Sequence, residues 1–129
     1  MPDWVFDTVA LIDYLCGRPA VRPYFDSILK GEASGAFSTI SEIELWQGIR
    51  PGEEPYHDAL LSLLERVPLD GEIARLAGEL RREFGLQRLS LPDAAVAATA
   101  IHLDCALITR NVRDFRLLTS RLRVEFYSL

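Results

Sequence analysis

The chain has 129 residues, 49% of them hydrophobic and 26% charged, with a formal net charge of −5. That size supports one domain with a sizeable core, expected over residues 1–129, and the acidic balance does not mark a general nucleic-acid binder. No apolar run approaches the roughly 20 residues of a spanning helix, and "MPDWVFD" lacks a basic-then-apolar leader, so a cytoplasmic protein with no membrane partner is expected.

In chain order, "WVFD" reads as a short strand ending at Asp7. "TVALIDYLCG" follows as a helix with an apolar face of Val9, Leu11, Ile12, Leu15 and Cys16, stopped by Gly17. A second helix opens near Pro19 and ends at Gly31. "GAFS" is a strand, "TISEIELWQGI" a helix opening at Thr39, and "RPGEEP" a turn or loop. "YHDALLSLLERV" has the period of an amphipathic helix. "PLDGEIARLAGELRREFG" is a turn and then a helix ending at Gly85. "LPDAAVAATAIHLD" is an alanine-rich helix and "CALIT" a buried strand. "RNVRDFRLL" is a polar turn entering a short helix, and "RVEFYSL" is a last strand.

Strands alternating with helices, and uninterrupted apolar runs such as "CALI", predict an α/β fold. The expected architecture is a three-layer α/β/α domain around a short-stranded, mainly parallel sheet. Cys16 and Cys105 adjoin apolar runs and are expected to be packed, reduced thiols. No cysteine pair has ligand spacing and His57 and His102 are far apart, which argues against zinc.

Ligands of open parallel sheets bind beyond the carboxyl ends of the strands, and acids recur there. Asp7 follows the first strand, Glu42 lies one turn into the helix after "GAFS", Asp93 opens the alanine-rich helix, and Asn111 and Asp114 follow "ALIT". Thr39-x-x-Glu42 and Ser90-x-x-Asp93 also fit the capping-box pattern, and Asn111 fits a cap for the helix carrying Asp114. Asp7 is harder to assign to capping, because a carboxylate beside the core needs a cation or strong donors. Several carboxylates at one sheet edge repel one another, and a divalent cation removes that conflict. Oxygen-only donors suit Mg²⁺ or Mn²⁺.

The order "VFDT", "STISEIEL", "LPDAAVAATA", "LITRNVRDF" resembles the PIN-domain family, in particular the VapC-type ribonuclease toxins of toxin–antitoxin pairs, over nearly the whole chain. The resemblance implies catalytic and Mg²⁺- or Mn²⁺-binding roles for Asp7, Glu42, Asp93 and Asp114. Thr8, Thr39, Thr109 and Asn111 would support them, and either Asn111 or Asp114 would complete the set. Val9 departs from the Asn or Ser that many relatives carry at that place. The implied reaction is in-line hydrolysis of a phosphodiester in structured RNA of the tRNA or rRNA class, leaving a 3′-hydroxyl and a 5′-phosphate. A cognate antitoxin and a homodimer are implied as partners.

From Cys105 onward five arginines face two acids, and Arg110, Arg113 and Arg116 are candidates for RNA phosphates or for a plain solvated face. Leu11, Tyr14, Leu15, Leu45, Trp46 and Ile49 are candidates for an antitoxin groove, or for core. A catalytically degenerate PIN fold acting as an RNA- or protein-binding module is the alternative. A receiver domain would need adjacent acids after the first strand and a lysine after the last, whereas Lys30 is the only lysine. No glycine-rich phosphate loop is present.

Overall fold

The computed structural model describes residues 1–129. Five short strands, β1 (Trp4–Phe6), β2 (Gly35–Ser38), β3 (Glu65–Val67), β4 (Ala106–Thr109) and β5 (Val124–Phe126), form one sheet in the order β3-β2-β1-β4-β5. Every neighbouring pair is parallel, with Val5 opposite Ala36 on one side and Leu107 on the other. The helices are α1 (Thr8–Leu15), α2 (Arg22–Leu29), α3 (Thr39–Gln47), α4 (Glu54–Ser62), α5 (Gly71–Phe84), α6 (Leu91–Leu103) and the single turn α7 (Val112–Phe115). None is long and apolar enough to cross a membrane.

The period-2 alternation of the central strands creates the three layers. Val5, Ala36 and Leu107 face one core with Ile73 and Leu80 of α5 and the alanines of α6. Phe6, Phe37 and Ile108 face the other, with Leu11 of α1, Phe25 of α2 and Leu60 of α4. Ala94 through Ala100 are all buried in α6, because small side chains let this helix sit close on the sheet and on α5. Gly35 serves the opposite layer: a Cβ there would stand 2.5 Å from Phe6 Cε2 and 3.0 Å from Ile28 Cδ1.

The chain runs outward from β1 to β2 and β3, then returns to lay β4 on the other side of β1. The reversal puts the topological switch point at the carboxyl ends of β1 and β4, the usual binding place in such sheets.

Three expectations need correction. The segment 56–67 is not one helix: α4 ends at Ser62 and β3 begins at Glu65. This strand is at the sheet edge with Glu65 and Arg66 exposed and only Val67 buried, so it carries no strand-like alternation to read. Cys16 is exposed at the end of α1, and only Cys105 is packed. The third helix stops at Gln47 with Gly48 as its cap, leaving Ile49 outside it.

Candidate active site

Asp7 closes β1 and caps α1, which fixes its carboxylate at the switch point. It is only 6% exposed. Oδ1 accepts from the Thr8 backbone N–H at 2.9 Å, and Oδ2 accepts from Thr109 Oγ1, at the end of β4, at 2.8 Å. No arginine or lysine pairs with it. Burial pushes its carboxyl up to about 6; the Thr109 bond opposes this, while the charges of Asp93 and Glu44 add to it.

Asp93 sits in the first turn of α6, where the Ser90 hydroxyl caps its backbone N–H at 3.2 Å. Burial also raises its carboxyl to about 6; Ser90 opposes the shift, and Asp114 and Glu44 reinforce it. Asp114 is held by Asn111: the Asn111 amide donates to Asp114 Oδ2, and Asn111 Oδ1 accepts from the Asp114 backbone N–H at 3.3 Å. Asn111 thus orients Asp114 and caps α7, and Asp114 is the residue whose charge reaches Asp93.

The glutamate facing this cluster is Glu44, which sequence reasoning missed. Thr8 Oγ1 stands 2.7 Å from Glu44 Oε1 and 2.8 Å from Ser41 Oγ. With a single proton, the Thr8 hydroxyl donates to the carboxylate and accepts from Ser41. Glu42 is turned away and forms a two-pronged ion pair with Arg66 of β3, at 2.8 and 2.9 Å, which holds its carboxyl below the usual range. Ser41 and Leu45 are the buried residues of α3, and Glu44 shares their face, a choice that helical period alone leaves open between Glu42 and Glu44.

The other supporting positions divide. Thr8 and Thr109 touch the acids, whereas Thr39 accepts from the Leu69 backbone N–H at 3.2 Å and lies outside the cluster. Ser38, not Thr39, caps α3, so the capping-box reading of Thr39 and Glu42 is one residue out of register. Arg110 is bound to Asp13 at 2.7 Å, while Arg113 and Arg116 are exposed.

The expected antitoxin positions also divide. Leu11 and Leu45 are core residues, 0% and 3% exposed. Tyr14, half-buried, stacks on Phe25 at 4.0 Å and lines a groove with Leu15 and with Tyr56 and Leu60 of α4. A neighbouring hollow runs from Leu15 past His57 to Glu44. Trp46 is half-buried, edge-on to His57 at 5.7 Å. The half-buried Ile49 lines neither hollow.

No three acid, histidine or cysteine side chains are gathered into a ready-made cage. The donor chemistry nevertheless fits Mg²⁺ or Mn²⁺. Asp7, Glu44, Asp93 and Asp114 bring oxygen donors only, their charges repel, and two are raised to about 6 without a cation beside them. Mg²⁺ keeps several waters and needs only one or two direct carboxylates.

A three-layer parallel α/β domain with carboxylates at its topological switch point defines a class of acidic-site α/β folds. The PIN domain family model matches residues 4–119. Ribonuclease VapC19 of Mycobacterium tuberculosis is 31% identical over 113 residues, covering 86% of this chain and 90% of that protein. A toxin–antitoxin complex from Klebsiella pneumoniae aligns at 32% identity with a TM-score of 0.68, covering 86% of this chain and 88% of that one. The VapBC2 complex of Rickettsia felis, bound to a DNA fragment from its promoter, shares the fold at 23% identity and a TM-score of 0.80, covering 97% and 98%. The chain belongs to the PIN-domain family, in its VapC group.

Proposed function

We propose that this protein is a VapC-type endoribonuclease toxin that hydrolyses phosphodiester bonds in structured RNA of the tRNA or rRNA class, using Mg²⁺ or Mn²⁺, and that a cognate antitoxin neutralises it. The observation that carries this reading is the set of carboxylates without a basic partner at the carboxyl ends of β1 and β4, with Asp7 and Asp93 both pushed up to about 6. The ribonuclease names of its relatives and the toxin–antitoxin complexes among its structural neighbours support the same reading.

Asp7 and Asp93 are assigned as direct holders of the ion, and Glu44 and Asp114 as holders directly or through water. Glu44 takes the place first expected of Glu42. When bound, the ion activates a water and offsets the charge that develops on the phosphodiester. Thr109 and Thr8 orient the carboxylates of Asp7 and Glu44 through the bonds described above. Arg113 and Arg116, exposed beside Asp114, are assigned to RNA phosphates, and Arg110 is withdrawn from that role by its bond to Asp13.

The groove of Tyr14, Leu15 and Tyr56, with the hollow leading to Glu44, is assigned to an antitoxin segment with apolar anchors and a guanidinium that meets the acids. A homodimer is proposed on the family resemblance. The test is cleavage of purified RNA with Mg²⁺ or Mn²⁺ and with a chelator. Metal-dependent cleavage lost in Asp93→Asn is expected, and equal cleavage by wild type and Asp93→Asn would overturn the reading.

A further inference from the structure

Two acids of the chain are buried, Asp7 at 6% exposure and Asp13 at 3%. Asp13 lies further along α1 and touches none of the acids of the site. Its Oδ2 accepts from Arg110 Nε at 2.7 Å and from the Tyr127 hydroxyl at 2.6 Å, and its Oδ1 accepts from Arg110 Nη2 at 3.4 Å. Burial alone would raise its carboxyl, but these donors prevail and hold it below the usual range.

The place of Arg110 gives the network its meaning. It is the residue between Thr109, which donates to Asp7, and Asn111, which donates to Asp114. The same segment is tied twice more: the Tyr127 backbone N–H donates to the Thr109 carbonyl at 3.2 Å, and the Asn111 backbone N–H donates to Thr109 Oγ1 at 3.0 Å. The exit of β4 is therefore gripped by α1 through Asp13 and by the C-terminal segment through Tyr127. An ion pair inside a fold adds little stability over well-packed apolar residues, but its directional bonds fix orientation.

We propose that Asp13 is a positioning residue: through Arg110 and Tyr127 it fixes the β4 exit so that Thr109 and Asn111 present their side chains to Asp7 and Asp114. Only the kinetic part of the test rests on the ribonuclease reading. Asp13→Asn is expected to lower kcat on RNA by about 10- to 100-fold, the usual loss for a group that orients a metal-holding residue. KM should stay within about twofold and thermal unfolding should remain cooperative, a split that mere loosening of the fold does not give. Because Asp13 acts in part through Thr109, Asp13→Asn combined with Thr109→Val should lose less activity than the product of the two single losses. In metal-free protein the Asn111 amide should lose about tenfold of its hydrogen-exchange protection while the Leu107 amide of β4 keeps its own.

Unchanged kcat, additive losses in the double variant, or an Asn111 amide as protected as before would each overturn the proposal. Tyr127→Phe removes one hydroxyl and carries the same comparisons, in the same directions, if Asp13→Asn does not fold. Wild-type protein that cleaves no RNA counts against the ribonuclease reading, and the metal-free exchange result then decides the positioning role.

Discussion

Thr8 Oγ1 lies 2.7 Å from Glu44 Oε1, tying the first residue of α1 to α3 at the edge of the acid cluster. Two residues earlier on the same helix, Glu42 is paired with Arg66. The two glutamates therefore make opposite predictions. Glu44→Gln should reduce metal-dependent RNA cleavage by about 100-fold or more. Glu42→Gln should keep activity within about threefold and change stability by less than about 1 kcal/mol, as expected for a partly exposed pair. Steady-state cleavage with urea unfolding of both variants checks this, and the reverse ranking would return Glu42 to the site.

Stability without metal should fall as pH rises. The Asp7 carboxyl is raised from 3.8 to about 6 in the folded protein. Between those values the folded state binds more protons than the unfolded one, so stability is lost as pH rises through about 6. For this nearly buried group the cost at pH 7.5 is on the order of 3 kcal/mol, and Asp93 acts in the same direction. Urea unfolding in chelator should show a higher midpoint at pH 5 than at pH 7.5. Mg²⁺ or Mn²⁺ should narrow the difference, and a midpoint highest at pH 7.5 in chelator would contradict it.

The same protons compete with the ion. Below about pH 6 a cation must displace them from Asp7 and Asp93, so its affinity should weaken as pH falls through that range. Calorimetric titration with Mn²⁺ between pH 5 and 8 measures this, and a pH-independent affinity would show that neither carboxyl takes part.

Asp7→Asn separates function from stability. It should abolish cleavage, yet raise metal-free stability at pH 7.5 by roughly 1–2 kcal/mol, because the relieved charge outweighs the weakened cap. Denaturant melts of this variant beside wild type in chelator check the sign.

Gly35→Ala tests the packing beneath the site. Its new Cβ would meet Phe6 Cε2 at 2.5 Å, with Ile28 and Leu64 close behind. Overpacking of this kind costs typically 1–3 kcal/mol. A melting temperature unchanged from wild type would show that the aromatic ring gives way freely.

How much was legible depended on how locally each feature is encoded. Asp7 is placed by its own neighbours, since it ends an apolar strand and caps the next helix. Asp93 is placed by Ser90 and by the alanines that sink α6 against the sheet. The edge strand β3 was hidden because two of its three residues face solvent and its partner is β2, far away in sequence. Arg110 looked like one more free arginine because Asp13, which binds it, is 97 positions away in the chain.

The alternation of strands and helices, and the placement of Asp7 after a strand and of Asp93 in the first turn of a helix, followed from the sequence itself, because each is set by residues within a turn or two; the choice between Asn111 and Asp114 stayed open. Which glutamate of α3 joins them did not follow from it either. Residues two apart on a helix point about 160° apart, so either Glu42 or Glu44 can face the acid cluster, never both. The choice fell to tertiary packing: Ser41 and Leu45 turn inward, Thr8 meets Glu44, and Arg66 on β3 holds Glu42 on the other side.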